Sequence, residues 1–331
     1  RGRGIRGYHG DIAPCYLPLQ DGDMKFALLL FGVLPSLLFS APANHRAPLN
    51  DADLRAWLEN MVWHHRFTEK EITAATGLDS KRIQAALKRF GIRPGDRPSR
   101  KTDALLKVLP YPGGRHPRIG FLDGAIRPQR ETKVSIFAPW DEGSYVVADI
   151  PEAIWSNLGL TYLAHTHVPT VWTMQDITLP RLEWQQRKDG TLVMERTLPN
   201  GIRFGTKVTP GHDVVRMEMW LRNGTKAMLT GMRVQNCVML KGAPGFNQQT
   251  KDNKVLGEGW AACRSADGRR WIATGWQPAH RAWANPPVPC LHADPKFPDC
   301  PPGKTVRLKG WLIFHEGDDI RARIRKIKNQ N

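Results

Sequence analysis

Tight-turn signals recur every 10–12 residues along the middle of the chain and leave room only for short strands between them. The turns lie at 188–190, 199–201, 210–213 and 222–224. Three of them contain the Asp-Gly or Asn-Gly pairs that favour hairpin turns. The runs between them, such as TLVMERTL and VVRMEMWL, alternate apolar and polar residues. Strands so close in sequence pair antiparallel, so this region is predicted to be β.

The same pattern of short strand-like runs continues through GWAACRS, RRWIATGW and VRLKGWLIF to about residue 314. Many short strands joined by tight turns over such a length are typical of a large antiparallel β-sandwich. We therefore predict a mainly β domain over 119–331, preceded by a small three-helix module.

The predicted helical module spans 50–92. Thr68 and Glu71 have capping-box spacing, and Gly77 is placed to end the helix that they begin. A third helix follows, capped by Asp79 or Ser80. The segment 93–118 is rich in proline and contains Gly113-Gly114, which predicts a linker.

The segment 24–43 has the three parts of a secretory signal peptide. Met24-Lys25 is followed by the apolar run FALLLFGVLPSLLF and then by Ala41-Pro42-Ala43, a cleavage signal. The run is too short to span a bilayer as a helix. We predict a secreted or periplasmic protein with no transmembrane segment after cleavage, and we interpret residues 1–23 as upstream or non-native sequence.

The charge of the chain favours anionic partners. The net charge is +17, of which residues 44–331 keep +16. Such a charge fits an acidic polysaccharide, an acidic lipid or nucleic acid, although simple solubility explains it equally well. Because nucleic acid fits poorly with export, an acidic polysaccharide is the predicted partner.

The four cysteines of 44–331 permit two disulfides in an exported chain. Cys290 and Cys300 lie ten residues apart in a proline-rich stretch and are predicted to form one. Cys237 and Cys263 lie in apolar strand-like runs and could equally be buried free thiols.

The stretch 214–246, VVRMEMWLRNGTKAMLTGMRVQNCVMLKGAPGF, resembles the core of galactose-mutarotase-like supersandwich domains. Their pattern is a strand, an Asn-containing turn, a short apolar run, and a strand leading into the binding face. The resemblance implies a supersandwich fold for 119–315. Mutarotases carry a His-Pro-Tyr-Phe-like segment after that strand, whereas this sequence has Asn236–Leu240 without the histidine. The resemblance therefore does not imply sugar 1-epimerase activity.

The segment Tyr162–His167 is the richest in catalytic side-chain types. His165 and His167 stand two apart, so in a strand both rings would project from one face. They could bind a divalent metal, together with His292 and Asp294, or act as bases beside Tyr162 as the proton donor. The alternative without a functional site is a pair of surface or hydrogen-bonded histidines and a polar loop.

Tryptophans in predicted loops form the second candidate site. Their flat faces can stack on sugar rings while polar neighbours bind hydroxyl groups, although core packing explains any single one of them as well. The candidate substrate-binding residues are Trp172, Trp276 and Trp283 with Arg233, Gln235 and Asn236.

The leading interpretation is an exported carbohydrate-active protein that binds or acts on an acidic polysaccharide, by lyase or hydrolase chemistry if it is an enzyme. One alternative is a non-catalytic glycan-binding or cell-envelope protein. Another is a DNA-binding regulator that uses 68–90 as a helix-turn-helix. No nucleophile elbow, P-loop, dinucleotide fingerprint or HExxH motif occurs in the sequence.

Overall fold

The computed structural model describes residues 45–120, 130–164 and 168–329. The predicted signal peptide at 24–43 lies outside these ranges, so export stays a prediction. The described residues form two antiparallel sheets and four α-helices. The mainly β prediction is confirmed.

The strands, in chain order, are β1 (Val108–Pro110), β2 (Lys133–Phe137), β3 (Tyr145–Ser156), β4 (Gly159–Leu163), β5 (Gln185–Gln186), β6 (Leu192–Thr197), β7 (Arg203–Thr209), β8 (Val214–Arg222), β9 (Arg233–Met239), β10 (Lys254–Gly257), β11 (Trp260–Arg264), β12 (Arg270–Gln277), β13 (Ala279–Asn285), β14 (Cys290–Pro295) and β15 (Thr305–Glu316). Sheet A has the order β1-β2-β3-β9-β14-β13, with β4 also paired to β3. Sheet B has the order β10-β11-β12-β15-β8-β7-β6-β5.

The main core lies between the inner faces of the two sheets. In β8 the alternation predicted from sequence is present, because Val215, Met217, Met219 and Leu221 are all buried in this core. Sheet A contributes Val146 and Ala148 of β3 and their counterparts on its other strands. Apolar residues at every second position therefore bring the two sheets together.

The three predicted helices are present as α1 (Asp51–Glu59), α2 (Glu69–Thr76) and α3 (Ser80–Phe90). A π-helical turn, Asn60–His64, extends α1. The capping box of Thr68 and Glu71 starts α2, and Gly77 ends it at a φ of +75°. A side chain at Gly77 would also meet the ring of His45 at 2.4 Å, so glycine is required there.

These helices cover one half of the outer face of sheet A. Leu58, Met61 and Ile72 share a hydrophobic cluster with Tyr145 and Met239 of the sheet. Outside this cluster, a fourth helix, α4 (Ile320–Lys328), packs its buried isoleucines against tryptophans on the outer face of sheet B. The sequence analysis did not predict α4.

The predicted disulfide between Cys290 and Cys300 is wrong. Both cysteines are buried free thiols. Cys290 belongs to the cluster beneath the helices, whereas Cys300 belongs to the core between the sheets. Because the two side chains lie on opposite sides of sheet A, they cannot approach each other.

Within the described ranges, no helix is long and apolar enough to cross a membrane.

His65 joins the helical module to sheet A. One of its ring nitrogens, Nε2, lies 2.7 Å from the Ser135 hydroxyl, and Nδ1 lies 3.1 Å from the Asn60 carbonyl oxygen. Burial lowers the pKa of His65 to about 3. The imidazole is therefore neutral in the folded protein near neutral pH, and its protonation opposes folding.

We predict that His65 makes the protein acid-labile. Its folded-state pKa lies below its unfolded value, so stability is intact above about pH 6.5 and is lost as the pH falls toward the folded pKa. Between about pH 7.5 and about pH 5, the loss should be about 2 kcal/mol smaller in His65→Gln than in the wild type. Urea unfolding across this pH range measures the effect. The exposed His212→Gln variant is the control, and identical pH slopes for His65→Gln and the wild type would contradict the prediction.

Candidate functional site

The outer face of sheet A becomes polar along β9, β14 and β13, at the border of the apolar cluster beneath the helices. On β9, Val234 and Val238 point into the core, whereas Gln235 and Cys237 point outward. The same alternation on β14 and on β13 adds further polar side chains to this face. We call the group of Arg118, Glu152, Gln235, Cys237, Arg281, Trp283, Cys290, His292 and Asp294 the polar cluster.

Glu152 is the first of two buried carboxylates in the polar cluster. It lies where the pairing of β3 with β9 shifts register, between Asp149 and Ala153. It forms an ion pair with Arg118 and accepts a hydrogen bond of 2.9 Å from Gln235 Nε2. Burial alone would lower the pKa of Arg118, but Glu152, Cys237 and Cys290 together outweigh burial, and the pKa is raised well above its usual value.

Asp294 is the second buried carboxylate. Its Oδ2 accepts hydrogen bonds of 2.8 Å from both Arg281 Nε and Trp283 Nε1. Its Oδ1 accepts one of 3.0 Å from the backbone N–H of Asn236. These contacts satisfy the charge of Asp294 and fix the positions of β9, β13 and β14 around it.

His292 lies between the two carboxylates. Its Nδ1 is 4.0 Å from an oxygen of Glu152 and 4.0 Å from an oxygen of Asp294. The indole of Trp283 stacks on the imidazole at a centroid distance of 3.7 Å and an angle of 10°. The ring is thus held flat against Trp283 and is almost completely buried.

The structure brings together several residues that the sequence analysis selected. Gln235 contacts Glu152, and Trp283 contacts Asp294 and stacks on His292. Arg233 lies on the same strand as Gln235, with its guanidinium 6.0 Å from the ring of Trp155. Asn236 differs, because only its backbone reaches the cluster. Its side-chain amide is buried and has no hydrogen-bond partner among the described residues.

Three other predicted residues belong to the core. Tyr162 is buried against Phe204 at a centroid distance of 4.9 Å. Trp172 donates from Nε1 to the carbonyl oxygen of Thr161 at 2.7 Å, and Trp276 is 1% exposed. These side chains are not available to a ligand at the surface. Burial also raises the pKa of Tyr162, which makes it a poor proton donor.

His165 and His167 lie outside the described residues. Of the predicted metal set, the structure therefore places only His292 and Asp294 side by side. Sequence reasoning missed Arg118, Glu152 and Arg281 in the polar cluster. The sequence could have pointed to Glu152. It lies in the mostly apolar run YVVADIPEAIW, and a carboxylate in such a run needs a buried partner.

A separate cleft opens beside β1 and has a volume of about 680 Å³. The predicted linker, the loop after β2 and two turns of sheet B line it. Its charged and aromatic lining residues are Arg97, Arg100, Lys101, Lys107, Trp140, Glu142, Asp189 and His212. We call it the basic cleft, because its four cations outnumber its two carboxylates.

The cations of the basic cleft are close enough to repel one another. Burial, followed by the guanidinium groups of Arg97 and Arg100, lowers the pKa of Lys107. The Nε atoms of both arginines are buried and have no hydrogen-bond partner among the described residues. Glu142 offsets part of this charge, at 3.6 Å from Arg97. An anion in the cleft would relieve this repulsion.

No protein-family model matches the sequence, and no curated protein matches it. Among solved structures, the chain is similar to a mutant heparan sulfate lyase from Pedobacter heparinus, at 10% identity, covering 81% of this chain and 46% of that one, with a TM-score of 0.36. It is also similar to a heparinase III gene product, at 9% identity, with coverages of 81% and 46% and a TM-score of 0.37. A polysaccharide lyase gives 10% identity, coverages of 66% and 34%, and a TM-score of 0.34. The chain spans less than half the length of each of these lyases.

We predict that Glu152→Gln strongly destabilises the fold. The change leaves the guanidinium of Arg118 buried without its carboxylate, and breaking such a buried pair costs about 3–5 kcal/mol. Glu218 is the matched control, because it pairs with Lys207 at 3.2 Å on the surface of sheet B. Glu218→Gln should change the free energy of unfolding by less than about 1 kcal/mol. Urea unfolding of both variants measures the difference, and equal losses would contradict the prediction.

Proposed function

We propose that this protein binds an acidic polysaccharide in the basic cleft. The observation that carries the proposal is the cluster of mutually repelling cations in a cleft large enough for a short oligosaccharide. Carboxylate or sulfate groups of a glycan would pair with the half-buried guanidinium groups of Arg97 and Arg100. The net charge of +16 on residues 44–331 would draw such a polymer toward the surface.

Trp140 supplies the second element of a sugar site. It lines the cleft and is half-buried. Phe246 stacks on it at a centroid distance of 5.8 Å and Phe314 meets it edge-on, so the ring is fixed in place. An aromatic face held rigidly beside cations suits an acidic sugar ring, which has an apolar face and a charged substituent.

Cleavage of the bound glycan by β-elimination is a second candidate function. It is favoured by His212, whose exposed imidazole lies in the same cleft as the cations. In that reaction the imidazole would take the proton next to the uronate carboxylate, and Arg100 or Lys107 would stabilise the resulting negative charge. The bond from C4 to the glycosidic oxygen would then break, the imidazolium would return the proton to the leaving oxygen, and an unsaturated uronate would remain. We further propose that the protein acts outside the cytoplasm, as its predicted signal peptide indicates.

The double variant Arg100→Gln/Lys107→Gln should bind acidic polysaccharide at least about tenfold more weakly than the wild type, equivalent to about 1.4 kcal/mol. Isothermal titration with heparan sulfate and with polygalacturonate measures this, and neutral dextran is the reference glycan. Raising the salt concentration should weaken wild-type binding, because exposed charges are screened.

Lys304→Gln/Arg307→Gln is the matched control, since it removes the same charge from two exposed residues, one directly before β15 and one within it. Equal weakening by both double variants would show that overall charge, and not the cleft, governs binding. Ultraviolet absorbance of unsaturated uronate tests cleavage in the same samples. A lyase should lose turnover in His212→Gln while keeping its affinity, whereas a binding protein should release no product in any variant.

A further inference from the structure

Three metal-ligating side chains converge inside the polar cluster. The sulfur atoms of Cys237 and Cys290 and one ring nitrogen of His292 all lie within 4.8 Å of one another. All three residues are buried.

Strand pairing explains the convergence. Cys290 and His292 stand two apart on β14 and therefore share a face. Antiparallel pairing places Leu291 opposite Val238, and the next step of this register brings His292 opposite Cys237. A thiol, an imidazole and a second thiol thus meet across two neighbouring strands whose positions the sheet itself fixes.

We propose that Cys237, Cys290 and His292 bind one zinc ion. Two thiolates and an imidazole form the nitrogen and sulfur ligand set that zinc prefers, and structural zinc sites add a fourth ligand in tetrahedral geometry. The carboxylates of Glu152 and Asp294 border the site on the side of His292 Nδ1, each with an oxygen 4.0 Å from that nitrogen. The donor atoms are close enough to reach one ion with small side-chain movements.

The charges around the site accommodate this ion. A zinc ion with two thiolates is neutral, and each neighbouring carboxylate already has an arginine partner, Arg118 or Arg281. Arg118 also donates a long hydrogen bond of 3.7 Å to the sulfur of Cys237. No net charge would therefore be left buried after zinc binds.

The carboxylates also resemble the outer partners that orient metal-bound histidines. Glu152 and Asp294 face the Nδ1 atom of His292, which has no hydrogen-bond partner among the described residues. Carboxylates in this position hold the imidazole in one orientation and strengthen it as a ligand. Stacking on Trp283 restricts the ring further.

The two remaining cysteines of the described ranges provide matched controls. Cys263 donates to the carbonyl oxygen of Phe246 at 3.4 Å, and Cys300 donates to that of Lys304 at 3.3 Å. Both are buried, but neither belongs to a group of three metal-ligating side chains. Their replacement by serine perturbs a buried thiol to a similar extent without touching the proposed site.

The full chain, expressed in zinc-supplemented medium, is tested for bound zinc by elemental mass spectrometry. We expect about one zinc per chain in the wild type and in Cys263→Ser/Cys300→Ser, and less than about a tenth of that in Cys237→Ser/Cys290→Ser. Circular dichroism checks that the variants fold. Titration of chelator-stripped wild type with Co²⁺ should give the thiolate-to-cobalt charge-transfer band and the intense visible bands of tetrahedral coordination.

Absence of these cobalt bands in the folded wild-type protein would overturn the proposal, even if the Cys237→Ser/Cys290→Ser variant failed to fold. Equal zinc content in the two double-serine variants would also overturn it. So would a disulfide between Cys237 and Cys290 in protein purified under reducing conditions, detected by mass spectrometry. Each readout is independent of glycan binding, so the zinc proposal and the glycan-binding proposal are tested separately.

Discussion

Carboxylates buried on the outer face of sheet A are the constraint on which the rest of the structure depends. Asp149 pairs with Lys133 at 2.9 Å, and both side chains are completely buried. Glu152 pairs in the same way with Arg118. A buried charge without a partner costs several kcal/mol, so each pair is maintained only if both segments that supply it are correctly placed. The cations come from β2 and from the linker, and these pairs therefore tie separate parts of the chain to β3.

The outer face of sheet A is divided into two halves with different roles. Under the helices it is apolar, with Tyr145, Val147 and Met239 packed against α1 and α2. Beyond the helices it bears the polar cluster. The helical module thus covers part of the sheet. Only one side of each helix faces the sheet or the other helices, so α2 and α3 bury short apolar stripes, such as Ile83 and Ala86 of α3.

The sequence predicted what is local and missed what depends on strand order. The capping box of Thr68 and the alternation in β8 involve neighbouring residues, so their pattern can be read directly. The pairing of β9 with β14 cannot be read in this way, because Cys290 lies 53 positions after Cys237 and the strands β10 to β13 come between them in the sequence. His292 was selected for its type, but its position opposite Cys237 follows only from the fold. Tyr162 was selected as a proton donor, but its ring lies on the side of β4 that faces the core between the sheets.

The linker is more than a connector, because it contributes to both candidate sites. Its first part places Arg97, Arg100 and Lys107 around the basic cleft, and its last part places Arg118 beside Glu152. Prolines and glycines allow the segment to follow an irregular path between these points, interrupted by the short strand β1. Binding of a polyanion would therefore act on the same segment that closes the polar cluster. The fold thus joins its two chemically distinct sites through one stretch of backbone.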